Sequence, residues 1–150
     1  MDLEFYMNEA IKQANIAREK GEVPIGAVVV LNKEIIGYGH NNVETSKHSF
    51  EHAEINAIKM AQDYIGDWRL NECYLFTTLE PCIMCAGAII QSRINTLIYG
   101  AKDPQRGFAG SVLNIVDDDI FNHKVGVITG IKEDECKKII NDFFRERRQK

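Results

Sequence analysis

The chain has no apolar run approaching the roughly 20 residues that a bilayer span requires, so no membrane association is expected. The opening decapeptide MDLEFYMNEA carries acids where a secretory signal carries a basic segment. A cytoplasmic protein is therefore expected. Positive charge is not in excess: 18 Lys and Arg stand against 22 Asp and Glu, for a net charge of -4. That balance excludes a protein that grips nucleic acid over its whole surface and leaves room only for a local contact. The last six residues, RERRQK, are the exception, with four positive charges and one negative. Repeats, low-complexity tracts and Pro/Gly/Ser linkers are also missing, which leaves one domain over residues 1–150. Cysteine is sparse, at four residues: Cys73, Cys82, Cys85 and Cys136. In a cytosolic chain, paired thiols suggest metal or redox chemistry before structural disulfides.

What remains is ordinary globular composition, 45% hydrophobic and 27% charged. Residues 3–20 carry helical periodicity (Leu3, Tyr6, Met7, Ala10, Ile11, Ala14) and stop at Gly21. PIGAVVVL and KEIIGYGHN, joined through a short NK connection, predict a hairpin. Residues 52–65 predict a deeply buried helix with only Asn56, Lys59 and Asp63 as a polar stripe. CYLFTT, NTLIYGA and KVGVIT predict strands. Pro81 is expected to open a helix running to Ser92. Residues 103–114 look like loop. An amphipathic helix is predicted over 132–147, with Cys136, Ile139, Ile140, Phe143 and Phe144 inward. Strands alternating with helices indicate an α/β sandwich with helices on both sheet faces.

Glu54 is out of place in this pattern. It shares a helical stripe with Ile58, Ala61 and Ile65, where a carboxylate is costly unless paired or used. The segment EPCIMC supplies Cys82 and Cys85 at i and i+3. That spacing puts two thiols on one helical face, about 5 to 6 Å apart at Cβ, within reach of one metal ion. A helix N-terminus also favours thiolate. A thioredoxin-like redox role fits the flanking context poorly, and without other candidate ligands nearby two core cysteines would be the default reading. His52 is the candidate third ligand. Residues two apart on a regular helix point to nearly opposite sides, so His52 is expected at the very start of its helix, where the chain is still turning in. Three protein ligands leave a tetrahedral ion one open position, the catalytic pattern, and Glu54 then becomes a proton carrier. The competing arrangement adds His48, four residues before His52, and closes a structural Cys2His2 site.

H-A-E at 52–54 followed by P-C-x-x-C at 81–85 resembles the signature of the zinc-dependent nucleobase and nucleoside deaminases. TLEPCIMCAGAIIQSRI, YGAKDPQRGFAGSVLN, FNH, DFFRERR and EVPIGAVVV extend the likeness over nearly the whole chain. They are similar to the bacterial tRNA-specific adenosine deaminases. The resemblance implies a three-layer α/β/α sandwich with a five-stranded mixed sheet, a homodimer and one zinc per subunit. It implies deamination of adenosine to inosine at the wobble position of a tRNA anticodon. Zinc would be held by His52, Cys82 and Cys85, with Glu54 shuttling protons. Asn41 would hydrogen-bond the base, and backbone amides near Ala53 and Cys82 would help to seat it. Lys102, Asp103 and Arg106, in a Gly-punctuated loop, would shape a pocket for flanking nucleotides, with Asp103 accepting from a ribose hydroxyl. Phe144, Arg147 and Arg148 would meet RNA, although helical core spacing and a solvated helix end explain them equally. Asn122 and His123 suit either loop structure or a pocket wall. Ser49, Phe50 and Glu51 depart from the P-T-A common in the family. Two alternatives stay open: a small-molecule deaminase acting on guanine or cytosine, and a zinc-stabilised binding protein without catalysis.

Overall fold

The computed structural model describes residues 1–149. Its elements are α1 (Leu3–Glu19), β1 (Gly26–Leu31), β2 (Glu34–His40), α2 (Val43–Ser46), α3 (Ala53–Ile65), β3 (Tyr74–Leu79), α4 (Ile83–Gln91), β4 (Thr96–Ala101), β5 (Gly126–Thr129) and α5 (Glu133–Arg148). The five strands form one sheet in the order β2-β1-β3-β4-β5. β1 runs antiparallel to both β2 and β3, and β3, β4 and β5 are mutually parallel. This is the mixed α/β sheet expected from the sequence.

The central strands are buried on both faces, as parallel strands under two helical layers must be. Along β1 the side chains alternate between two cores: Ala27 and Val29 enter one, Val28 and Val30 the other. The first core is completed by Ala57, Ile58 and Ala61 of α3 and Ala86 and Ile89 of α4. The second is completed by Tyr6, Met7 and Ala10 of α1 and Cys136 of α5. The hairpin turns at Asn32 and Lys33, whose φ values of 50° and 66° fit the left-handed pair of a two-residue turn. At Gly39 on β2, any Cβ would overlap the Ala53 carbonyl. That glycine lets the first turn of α3 lie directly on the sheet, which fixes where the His52–Glu54 segment sits. Among the described residues, no helix is long and apolar enough to cross a membrane.

Four expectations need correction. α3 is not deeply buried along its length: its buried face ends at Ala61, and Met60, Tyr64 and Ile65 are exposed because the last turn of the helix runs out past the sheet's cover. The helix after Pro81 starts at Ile83, with Cys82 as its N-cap in extended conformation. Pro81 therefore lies outside the helix, and its carbonyl accepts the Phe108 N–H at 2.9 Å. Phe144 is not inward. Adjacent helical residues diverge by about 100°, so α5 buries Phe143 and leaves Phe144 43% exposed. The short helix α2 was not expected, because four residues are too few to show periodicity.

Candidate metal centre and active site

Two helix starts converge on one point. His52 is the N-cap of α3, with φ -80° and ψ 154°, and Cys82 is the N-cap of α4, with φ -73° and ψ 178°. Their carbonyls accept the first helical bonds, from Asn56 N–H and Ala86 N–H. Neither side chain caps its own helix, so both are free to point outward to a shared site. The extended backbone at His52 resolves the spacing problem: His52 lies outside regular helix geometry, and Glu54 faces inward from the first turn. Cys85, in the first turn of α4, is fully buried.

His52 Nδ1 lies 3.6 Å from Cys82 Sγ and 3.5 Å from Cys85 Sγ. The three donor atoms all fall within 4.8 Å of one another. A tetrahedral ion with sulfur at about 2.3 Å and nitrogen at about 2.0 to 2.1 Å separates such donors by about 3.5 Å. The donor set can therefore bind a metal ion. His48 is exposed and lies outside this group, so the described site offers three protein ligands rather than four.

The electrostatics favour a cation. The Cys82 thiol is pushed down to about 4, first by the hydrogen bond from Cys85, against burial, and also by His52. The same bond, together with burial, pushes Cys85 up. A thiolate at Cys82 and the Cys85 thiol then sit together at the N-terminus of α4, facing His52 at the N-terminus of α3, an arrangement that suits a metal ion. Glu54 is 4% exposed, and burial raises its carboxyl to about 7. A carboxyl in that range can both take and return a proton near neutrality.

Glu54, His52 and Cys82 open onto a cavity of about 710 Å³. Val23, Ile25 and Leu79 line one side, and Ile140, Asn141 and Phe144 of α5 another. Lys102, Asp103, Pro104, Gln105 and Arg106 form a loop wall. Three of the loop residues singled out from sequence, Lys102, Asp103 and Arg106, thus reach the cavity, as does Phe144. Asp103 Oδ1 also accepts from the N–H groups of Gln105 and Arg106, at 3.2 and 3.1 Å, and so holds its own turn.

The other named residues sit differently. Asn41 is buried behind the Val23–Ile25 wall: its Nδ2 donates to the Val23 carbonyl at 3.3 Å, and its Oδ1 has no partner. Ala53 is fully buried at the start of α3. Arg147 donates to the Gly21 carbonyl at 2.6 Å and stacks over Phe143 at 4.7 Å. Arg148 is exposed. Asn122 and His123 line a separate cavity of about 450 Å³ with Trp68, Arg93 and Phe121. Lys150, in the basic tail, lies outside the described residues.

Sequence reasoning missed Glu80 and Glu22. Glu80 is 2% exposed and touches the cavity. Glu22 is 1% exposed and accepts from Glu44 N–H, Thr45 N–H and the Thr45 hydroxyl, at 3.1, 2.6 and 2.6 Å. The signal for Glu80 was available: an acid directly after an apolar strand is as anomalous as Glu54 on its stripe.

The profile of the MafB19-like deaminase family matches residues 1–148. The chain is 49% identical over 147 residues to the tRNA-specific adenosine deaminase of Bacillus subtilis (strain 168), covering 98% of this chain and 91% of that one. A solved structure from a study of A-to-I editing by tRNA:A34 deaminases is 39% identical. It superposes with a TM-score of 0.87, covering 90% of this chain and 98% of that one. The guanine deaminase structure from Bacillus subtilis is 38% identical with a TM-score of 0.65, covering 68% of this chain and 66% of that one. With the likeness covering nearly the whole chain, the chain belongs to the MafB19-like deaminase family, alongside the tRNA-specific adenosine deaminases.

Proposed function

We propose that this chain converts adenosine to inosine at the wobble position of a tRNA anticodon, using one zinc ion per subunit. The observation that carries the reading is the buried Glu54 carboxyl opening onto the same cavity as His52 and Cys82, two members of the His52–Cys82–Cys85 donor set. Two thiolates and an imidazole suit zinc. Held by His52, Cys82 and Cys85, zinc would supply a water acidified to about pKa 7.

The chain's own residues then account for the proton traffic. Water adds across the bond between C6 and the adjacent ring nitrogen of adenine. Glu54 accepts the water proton and delivers it to that ring nitrogen. It then carries the second water proton to the exocyclic amine, the C6–N bond breaks, and ammonia leaves. The balance is adenosine plus water giving inosine plus ammonia. The apolar wall of Val23, Ile25 and Leu79 excludes bulk water from Glu54, which keeps its carboxyl in the useful range. Asn41 does not line the cavity; its Nδ2 and backbone N–H hold the Val23 and Ile25 carbonyls, and so fix the wall instead.

The tRNA assignment is supported by the names of the relatives and by the residues that line the cavity. A target base must leave its stack, which is cheapest in a single-stranded loop. Phe144, an exposed lining residue, offers a stacking surface, and Lys102 and Arg106 on the same lining offer positive charge. A homodimer acting in the cytoplasm completes the proposal. Its state in solution is read by sedimentation.

The test is incubation with a tRNA bearing a wobble adenosine, followed by sequencing, where inosine reads as guanosine. Free guanine and cytosine are assayed in parallel. Conversion at the wobble position supports the reading. Turnover of a free base with none on tRNA would overturn it in favour of a small-molecule deaminase.

A further inference from the structure

Glu80 ends β3's run toward the metal site, two residues before Cys82, and its carboxylate is buried. Four donors converge on it. Oε1 accepts from Asp103 N–H at 3.0 Å and from the Ser111 hydroxyl. Oε2 accepts from Ala109 N–H at 3.1 Å and Ser111 N–H at 2.9 Å. A carboxylate only accepts, and everything facing these oxygens donates. All four bonds go to one loop, residues 103–111, and none goes to a metal ligand. The loop closes around the carboxylate so tightly that a Cβ at Gly107 would overlap it. The same loop supplies Asp103, Gln105 and Arg106 to the cavity wall beside Glu54 and His52.

A buried carboxylate is costly unless satisfied, and the loop belongs to no helix or strand: turns, the single Ala109–Asn114 bridge and the Phe108 N–H bond to the Pro81 carbonyl hold parts of it, while the N–H groups of Asp103, Ala109 and Ser111 turn to Glu80. Each therefore depends on the other. We infer that Glu80 is a positioning residue, whose carboxylate templates residues 103–111 into the substrate-facing wall, so that substrate affinity depends on it and metal binding does not. This inference rests on the deaminase reading of the Glu54 cavity.

Glu80→Gln keeps the shape but turns one acceptor into a donor. Whichever way the amide is oriented, its nitrogen meets backbone N–H groups. Hydrogen exchange at Asp103, Ala109 and Ser111 is expected to accelerate about tenfold or more. KM for tRNA is expected to rise about tenfold, with kcat and bound zinc held within about twofold of wild type. Unchanged exchange with unchanged KM overturns the inference. So does a fall in kcat and zinc content at constant KM, which would tie Glu80 to the metal end instead. If Glu80→Gln does not fold, Ser111→Ala removes a single donor and carries the test, with KM up about threefold and kcat unchanged; an unaltered KM overturns it. Wild-type protein in the same assay separates the two ideas. A wild type inactive on tRNA defeats the tRNA reading alone, and affinity is then read on whichever free base it deaminates, beside the exchange data.

Discussion

His52 and Cys82 are 30 residues apart, yet each occupies the N-cap position of a helix, and His52 Nδ1 lies 3.6 Å from Cys82 Sγ. The two helix starts present both side chains to one point while their backbones begin separate helices. That relationship makes the donor set possible. It also explains why neither side chain performs the capping role its position would ordinarily assign.

Metal content should separate the three-ligand site from a closed four-ligand one. Cys82→Ala and His52→Ala are expected to lose zinc, measured by atomic emission, and to lower Tm. Saturating metal at about a thousand times its Kd stabilises the folded state by about 4 kcal/mol, and that contribution disappears with the ligand. His48→Ala should retain full zinc. Zinc loss in that variant would restore the structural Cys2His2 arrangement.

Glu54→Gln should keep zinc and fold but lose turnover by about a hundredfold to ten-thousandfold, the usual range for a general acid–base group. Replacement of a buried carboxyl by an amide of the same shape leaves the packing of α3 intact. Single-turnover kinetics on tRNA would measure the loss. Wild-type rates in the variant would remove Glu54 from the chemistry.

Glu22 gives a pH signature. Burial pushes its carboxyl up, but the bonds from the Thr45 hydroxyl, Thr45 N–H and Glu44 N–H outweigh it and hold it below 4.5. A depressed folded-state value stabilises the fold above the unfolded value and loses that contribution as pH falls through the folded one. Glu22→Gln should therefore lower stability at pH 7 by about 1 to 3 kcal/mol. It should also flatten the acid side of the stability curve below about pH 4.5. Urea melts from pH 3 to pH 7 (roughly the span where carboxylates titrate) would check this. An identical acid slope in wild type and variant would contradict it.

Arg147 and Arg148 should divide. Arg147 holds the Gly21 carbonyl and stacks on Phe143, so Arg147→Ala should lower Tm by about 3 °C. Arg148 is exposed. Its replacement by Ala should leave Tm unchanged and reduce the slope of log Kd against log salt for tRNA by about 0.7. A salt slope that moves only with Arg147 would reverse these assignments.

Much of this was written locally. Periodicity located α1, α3 and α5, because each helix packs one face against the sheet, and continuous apolar runs located β1, β3 and β4, because those strands are buried on both faces. The anomaly at Glu54 pointed to the site, since an acid on an apolar stripe has few uses. The His52 geometry was also accessible, because two residues two apart cannot serve one site from a regular helix. Glu80, Phe144 and Arg147 were not resolved in this way. Their roles depend on which segment lies across from them, and in each case that segment is distant in the chain or is an irregular loop without a period.

The sequence by itself determined the α/β class, the donor types at His52, Cys82 and Cys85, and the need to explain Glu54. Those follow from side-chain chemistry and short-range spacing. Only the tertiary structure decided that two helix N-caps meet, that Pro81 stands outside α4, that Phe144 faces the cavity and that Glu80 carries the loop. These are matters of long-range packing: a carboxylate with four donors is set by how the sheet brings β3 to residues 103–111, and no local pattern records that.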